Sequence, residues 1–243
     1  MARVDIAGDA RRAVDAVTAG GVVIFPTDVG YAGMGGCEAA LARLFRAKGR
    51  GAHKRNAMIG NPDLQREIHR VDNRAREVLA ALIEDFDLPI SVIAPYREDH
   101  PLLRQFGEAS LAASTEGGTV AMLLNVGPLE AAISRLAAAE GQALFGSSAN
   151  LTGTGTRFRV EDIQPEIRSV AECVIDYGLQ KFHRYKRSST MIDIMTMEVV
   201  RIGACYEVIR DVLQRHFAIE LPPDPGLDAL PSGHLREAQR RYV

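Results

Sequence analysis

The sequence lacks tryptophan, has only three cysteines and carries a formal net charge of −2 over 243 residues. The cysteines, at positions 37, 173 and 205, form no CxxC pair and are odd in number. This pattern argues against a disulfide framework and predicts reduced thiols. The near-neutral charge argues against a protein coated in basic charge for bulk nucleic-acid binding, because such binding needs many phosphate contacts at once. We therefore expect any anion site to be local.

Membrane and metal patterns are also missing from the sequence. No apolar run approaches the roughly 20 residues that cross a bilayer, and the N-terminal stretch lacks the apolar core of a signal peptide. We therefore expect a cytoplasmic protein with no membrane partner. The six histidines form no HxxxH or HExxH pair, no Cys/His group has zinc spacing, and we predict no metal-ligating residues. The sequence also has no GxSxG elbow, no P-loop and no Rossmann glycine fingerprint.

Strand and helix patterns alternate along most of the chain. The predicted helices lie at about 9–19, 38–48, 63–85, 128–140 and 206–217, and the predicted strands at 22–25, 57–59, 90–94, 119–124 and 143–145. Two further apolar segments, 190–195 and 198–203, are almost contiguous and indicate a hairpin, which adds antiparallel pairing to the sheet. The predicted fold class is α/β with a mixed sheet.

The chain changes character after Phe217. The segment "LPPDPGLDALPSG" (221–233) is broken by four prolines, which predicts an extended linker with little buried surface. A short charged stretch, "HLREAQRRYV", follows it. We therefore predict one nucleotide-binding domain over residues 1–217, and a proline-rich linker with a charged C-terminal tail over 218–243.

Positive charge is concentrated in "RAKGRGAHKR" (46–55), where six of ten residues are Arg, Lys or His. A helix is expected to end there, and cations at a helix C-terminus complement the helix dipole, which explains part of the cluster. The dipole does not account for Lys54 and Arg55, which would crowd like charges unless an anion neutralises them. Polyphosphate is the natural candidate, because Arg binds phosphate oxygens bidentately and Lys acts as a point charge.

Three other segments combine small polar residues with strand ends. "FPTDVGYAGMGG" (25–36) predicts either a strand-end loop close to a ligand or a flexible turn with a local hydrogen bond from Asp28. "GSSANLTGTG" (146–155) predicts either a ligand loop at the carboxyl end of a strand or an ordinary polar loop. "KFHRYKRSST" (181–190) adds a second basic cluster with hydroxyl side chains. Two basic clusters facing one cleft would suit a triphosphate.

Five motifs, in this order, resemble the YrdC-like family of threonylcarbamoyl-AMP synthases: "FPTDVGY", "KGRGAHK", "GSSANLTG", "SSTMIDI" and "RIGA". The resemblance implies a twisted mixed sheet with flanking helices and a concave basic cavity. It also implies a nucleotidyltransferase that uses ATP and Mg²⁺ to convert bicarbonate and an amino acid, with threonine suspected, into a carbamoylated adenylate and pyrophosphate. That adenylate serves tRNA modification, so tRNA or a tRNA-modification protein is an implied partner.

The resemblance also assigns roles to residues that match the motifs. Lys48 and Arg50 are the expected catalytic residues, because cations stabilise the charge that develops as the phosphoanhydride breaks. Thr27 and Tyr31 are expected to line the amino-acid end. The residues expected to bind the nucleotide or its phosphates are Lys54, Ser148, Asn150, Ser189, Thr190 and Arg201.

The chain departs from the family pattern at the acceptor end. Residues 29–35 are altered and slightly lengthened, and a Gly-Pro-x-Thr element reads "LPISVI". The strand that normally ends in Val-Arg-x-Pro reads "VAMLLNVGP", so Leu123 or Leu124 stands where a cavity Arg is expected. Loss of an Arg removes a bidentate partner for a carboxylate or phosphate. These departures predict a retained nucleotide end and a remodelled acceptor end, and they leave acceptor specificity and bicarbonate use open.

Two other functions remain open from the sequence. A non-catalytic RNA-binding module would keep the basic cavity as a docking surface, and its RNA affinity would fall steeply with salt. At 6% aromatic residues, however, the chain offers no evident stacking platform for single-stranded RNA. The other alternative is a carbamoyl-transfer enzyme that acts on a different acceptor.

Overall fold

A computed structural model describes residues 4–49 and 55–235. Within these ranges the helices are α1 (Ile6–Thr18), α2 (Glu38–Lys48), α3 (Pro62–Ile68), α4 (Asn73–Ala80), α5 (Pro101–Arg104), α6 (Glu108–Ala112), α7 (Pro128–Ala139), α8 (Pro165–Arg168) and α9 (Tyr206–Phe217). The strands are β1 (Val22–Thr27), β2 (Gly30–Gly35), β3 (Ala57–Ile59), β4 (Ile90–Pro95), β5 (Thr115–Glu116), β6 (Thr119–Leu124), β7 (Phe145–Ser148), β8 (Cys173–Val174), β9 (Thr190–Asp193) and β10 (Glu198–Arg201). The predicted α/β class is confirmed.

The strands form one strongly curled mixed sheet. Nine of its ten strands follow the order β10-β9-β4-β6-β3-β7-β2-β1-β8, and β5 pairs with β6 outside this path. Strands β1 and β6 lie four places apart in that order, yet the turn after β1 contacts the loop after β6. Asp28 N donates to Val126 O at 2.7 Å, and Phe182 N donates to Asp28 O at 2.8 Å. A flat sheet could not make these contacts, so the predicted twist is confirmed.

The glycine-rich stretch after Thr27 forms strand β2, so the prediction of a loop is wrong for residues 30–35. The glycines are needed for close packing on both sides of this strand. A Cβ at Gly35 would lie 2.8 Å from the Cβ of Ala40 in α2. A Cβ at Gly146 of β7 would lie 2.0 Å from the carbonyl oxygen of Gly33. Small residues therefore bring α2 and β7 against β2, which places the C-terminus of α2 beside the loop that follows β7.

Helix α1 begins a turn earlier than the predicted start at Asp9. Asp5 is the N-cap, and its Oδ1 accepts from Gly8 N at 2.9 Å. Asp9 instead lies in the first turn and accepts from the Tyr177 hydroxyl at 2.9 Å. In the described parts of the chain, no helix combines the length and hydropathy needed to cross a membrane.

The segment after Phe217 is extended but packs on the rest of the protein. Leu221 and Leu230 are 4% and 5% exposed and belong to the largest apolar cluster. The buried Arg187 guanidinium pairs with Asp224 at 2.7 Å and donates to the carbonyl oxygens of Gly226 and Leu230 at 2.9 and 2.6 Å. The expectation of little buried surface is therefore wrong for 218–235, while the proposed division at residue 217 stays a prediction.

Helix α7 buries a carboxyl group in the core. Glu130 is 1% exposed, and within the described residues neither carboxyl oxygen has a partner with hydrogen-bond geometry. Burial raises the pKa of Glu130 well above its ordinary value, and the nearby Gly60 backbone and Arg135 charge oppose this only partly. The folded protein therefore holds a proton that the unfolded chain releases in mildly acidic solution.

We expect the protein to lose stability as the pH rises above about 4.5, the ordinary pKa of a glutamate side chain, because of Glu130. A raised folded-state pKa contributes stability that is complete below the unfolded pKa and is lost as the pH rises, by up to about 1.4 kcal/mol per pH unit. Glu130→Gln should lose less stability over this range in urea unfolding, whereas the exposed control Glu166→Gln should match the wild type. Equal pH slopes for all three proteins would contradict a proton held on Glu130.

Candidate functional site

The loop at 147–157, here called the Ser-Asn loop, lies between the C-terminus of α2 and the start of β2. Thr152 N donates to Lys48 O at 3.0 Å, and Tyr31 N donates to Arg157 O at 2.8 Å. Gly30, with a φ of +119°, faces the same loop, and a Cβ there would lie 3.0 Å from the Arg157 carbonyl oxygen. Backbone contacts therefore fix the middle of the Ser-Asn loop against α2 and its C-terminal end against β2.

Lys48, the last residue of α2, points into this loop. Its side chain is buried, at 2% exposure for the residue, and its Nζ donates to the carbonyl oxygens of Ser148 and Asn150, the latter at 2.6 Å. Helix α2 ends at Gly49 in the left-handed conformation. The ammonium is thus held against the backbone of the Ser-Asn loop.

The Ser-Asn loop contains four buried polar atoms that have no hydrogen-bond partner in the described structure: Ser147 Oγ, Asn150 Oδ1, Thr152 Oγ1 and Arg157 Nε. Buried polar groups are nearly always paired, and an unpaired one costs about 1–3 kcal/mol. The set includes one acceptor, one donor and two hydroxyls that can do either. This concentration in a single loop indicates a position for a polar ligand or ordered water.

Two predicted nucleotide contacts, Ser189 and Thr190, lie fully buried at the start of β9. Ser189 Oγ lies 2.7 Å from Ser91 Oγ and accepts from Arg201 Nη2 at 3.0 Å. Thr190 Oγ1 donates to Ala204 O at 3.1 Å. The structure therefore brings Ser189 and Arg201 together but uses both hydroxyls inside the fold, and direct ligand contact from them stays a prediction.

Thr27 and Tyr31, predicted at the amino-acid end, flank the turn between β1 and β2. Thr27 Oγ1 donates to Gly30 O at 2.5 Å and closes the turn. Tyr31 is 1% exposed, and its hydroxyl contacts Asp176 Oδ1 at 2.9 Å and Gly178 O at 3.0 Å. Burial, followed by the hydrogen bond to Asp176, raises the pKa of Tyr31. Both side chains shape the turn, and their contact with a substrate stays a prediction.

Leu123, rather than Leu124, lies on the sheet face that carries the Ser189 hydroxyl. Leu123 stands directly opposite Ser91 in the antiparallel pair of β4 and β6, and opposed side chains share a face. Ser91 Oγ in turn contacts Ser189 Oγ. Leu123 is 8% exposed, whereas Leu124 is 0% exposed. An apolar side chain therefore stands where the motif comparison expects a cavity Arg.

The structure adds residues that the motifs do not predict. Thr152 lies inside the motif "GSSANLTG" but received no role there, and Arg157 continues the same polar run beyond the motif. Ser91 of β4 is identified by its contact with Ser189, just before the neighbouring strand β9. No local sequence pattern indicates this contact. Arg50, a predicted catalytic residue, and Lys54, a predicted phosphate-binding residue, lie outside the described residues, so their roles stay predictions.

These features define an α/β protein with a curled mixed sheet and a polar loop at the end of one strand. A family model for Sua5, YciO and YrdC, described as telomere recombination, matches residues 15–203. The chain therefore belongs to the Sua5/YciO/YrdC family, and the predicted YrdC-like membership is confirmed. A search of curated proteins finds no match.

Solved structures share the fold. A hypothetical protein from Streptococcus mutans UA159 aligns with a TM-score of 0.72 and 23% identity, over 86% of this chain and 92% of that one. P. abyssi Sua5 complexed with L-threonine aligns with a TM-score of 0.69 and 22% identity, over 91% of this chain. E. coli YciO aligns with a TM-score of 0.60 and 23% identity, over 80% of this chain and 88% of that one. The alignment spans 61% of the Sua5 chain, less than two thirds of its length.

Proposed function

We propose that this protein forms a carbamoylated adenylate from ATP. In its most specific form, L-threonine, bicarbonate and ATP give threonylcarbamoyl-adenylate, pyrophosphate and water, and the adenylate serves the N6-threonylcarbamoyladenosine modification of tRNA. A diverged form would run the same chemistry on another acceptor. The observation that carries the proposal is the group of unpaired buried polar atoms in the Ser-Asn loop, directly beside the C-terminus of α2, where the basic segment 46–55 begins.

ATP fits the chemistry of this loop. Its ribose hydroxyls can both donate and accept, and its phosphates accept, so they would pair with Asn150 Oδ1, the two hydroxyls and Arg157 Nε. The cations of 50–55 are close in sequence to Lys48 and would meet the phosphates. No three His, Cys, Asp or Glu side chains within 4–49 and 55–235 come together to hold a metal ion. Mg²⁺ would enter with ATP and supply positive charge that neutralises the phosphates.

The residues would act by binding and orienting rather than by nucleophilic attack. The Ser-Asn loop would hold the nucleotide, and the cations of 50–55 would stabilise negative charge as pyrophosphate leaves. Family membership supports this assignment, as does the shared fold with a Sua5 that was crystallised with L-threonine. The acceptor end would differ, because Leu123 stands beside Ser91 and Ser189 where the motif comparison expects an Arg. An acceptor that does not need this arginine as a partner is therefore favoured.

Arg50→Ala is expected to weaken ATP binding at least about 10-fold, because a charge-assisted bidentate contact to phosphate is lost. The matched control is Arg46→Ala: Arg46 is exposed, its Nε donates to Ala42 O at 3.3 Å within α2, and its removal should leave ATP binding unchanged. Titration calorimetry with ATP and Mg²⁺ measures the ATP affinity of both variants. RNA binding that falls steeply with salt, with no ATP binding by the wild type, would instead support the RNA-binding module.

A further inference from the structure

We propose that Lys48 is a positioning residue that acts through the Ser-Asn loop, rather than a direct clamp on the phosphates. This inference rests on the proposed function, since it concerns how that site holds a nucleotide. The ammonium donates to two carbonyl oxygens, those of Ser148 and Asn150, which lie on either side of Ala149. One side chain therefore fixes the backbone at both residues whose side chains are predicted to meet the nucleotide.

The surroundings of Lys48 make this arrangement rigid. Lys48 and Ala149 are buried, at 2% and 0% exposure. Ala149 N donates to Tyr31 O at 2.7 Å, and Thr152 N donates to Lys48 O at 3.0 Å. The loop is thus tied to β2 on one side and to α2 on the other, by both the backbone and the side chain of Lys48. The Asn150 side chain, attached to this fixed backbone, donates from Nδ2 to Leu151 O at 2.6 Å and leaves Oδ1 without a partner among the described residues.

The buried charge of Lys48 could either clamp phosphates or position the Ser-Asn loop, and the two roles predict different effects on nucleotide affinity. A desolvated cation needs partners, and here backbone carbonyl dipoles supply them. If Lys48 clamped phosphates, its contribution would grow with the number of phosphates on the ligand. If Lys48 positions the loop, its loss weakens every nucleotide by a similar factor, because each uses the same loop contacts.

The test compares AMP, ADP and ATP, with Mg²⁺ present, on Lys48→Met, which keeps most of the side-chain volume and removes the ammonium. Titration calorimetry is expected to show a similar loss of affinity, of about 10-fold, for all three nucleotides. A loss that rises from little with AMP to 100-fold or more with ATP would overturn the positioning role. The matched control is Arg43→Met on the same helix, which removes the Arg43 contacts to Glu172 at 2.9 Å and Gly20 O at 3.1 Å and should leave nucleotide affinity unchanged.

A second readout does not depend on nucleotide binding. Amide hydrogen exchange of the ligand-free protein should be at least 10-fold faster at Ala149 and Thr152 in Lys48→Met than in the wild type and in Arg43→Met. Unchanged exchange at these amides would overturn the inference. A wild type that binds no nucleotide would sink the proposed function, and the exchange rates would still decide the role of Lys48.

Lys48→Arg completes the test and covers the case in which Lys48→Met does not fold. Arginine keeps the positive charge, but its wide planar head cannot reproduce the two carbonyl contacts of a compact ammonium. Lys48→Arg is expected to bind nucleotides more weakly and to show faster amide exchange in the Ser-Asn loop. Full ATP affinity in Lys48→Arg with a fast-exchanging loop would contradict positioning, because charge alone would then be sufficient.

Discussion

A chain that ends at Phe217 is expected to lose its fold or its solubility. Truncation removes Leu221 and Leu230 from the core, at about 1.5–3 kcal/mol each. It also leaves the buried Arg187 without Asp224 and two carbonyl acceptors, which costs about 3–5 kcal/mol. The sum approaches the whole stability of a typical domain, about 5–15 kcal/mol.

Point variants separate the contributions to this effect. Asp224→Ala should lower the melting temperature of the full chain, because it leaves the buried Arg187 charge without its carboxylate partner. Asp228→Ala, at an exposed position of the same segment, should not. Thermal unfolding compares the melting temperatures of the two variants with that of the wild type, and the soluble yield is measured for the truncated chain. A soluble truncated chain with wild-type stability would show that 218–243 is a separable tail after all.

Asn150→Ala is expected to weaken ATP binding by about 10- to 100-fold, with little change in stability. The variant removes a buried acceptor, Asn150 Oδ1, that has no partner among the described residues. It also removes one hydrogen bond, from Asn150 Nδ2 to Leu151 O at 2.6 Å. The free protein therefore loses little, whereas a bound ligand would lose a hydrogen bond in a buried site. ATP titration and thermal unfolding measure the two effects.

Thr154→Ala is the matched control for Asn150→Ala. Thr154 lies on the same loop, is exposed, and its Oγ1 donates to Leu151 O at 2.9 Å, so its loss should change neither ATP binding nor stability by much. A loss of stability in Asn150→Ala with unchanged ATP affinity would mean that Asn150 serves the fold and that the unpaired oxygen is not a ligand contact.

Most of the sheet could be predicted from the sequence, because strands such as β1, β4 and β6 are apolar runs bounded by polar turns. Strand β2 could not be predicted in this way. Its glycines indicate a loop when read locally, whereas close packing of α2 and β7 is what requires them. The packing of the segment after Phe217 could not be predicted for a similar reason. Proline and glycine break helices and strands, but they do not prevent long-range contacts such as that of Arg187 with Asp224.

The sequence predicts the segments of the candidate site but not the contacts that its side chains make. The motifs identify the Ser-Asn loop and the end of α2, and the structure brings them together. The roles of Lys48 and Ser189 depend on which groups meet them in three dimensions: backbone carbonyls for Lys48, and Ser91 and Arg201 for Ser189. Such contacts join residues far apart in the chain, so no spacing rule predicts them.

The most direct test of the proposed function is pyrophosphate release by the full chain with ATP, Mg²⁺, bicarbonate and L-threonine, with mass spectrometry of the product. We expect release that requires both bicarbonate and an amino acid, together with a carbamoylated adenylate, and we expect Asn150→Ala to reduce both. Pyrophosphate release in the presence of L-threonine would show that an apolar residue at position 123 is compatible with that acceptor. No pyrophosphate release with any amino acid, from a protein that binds no ATP, would contradict the account.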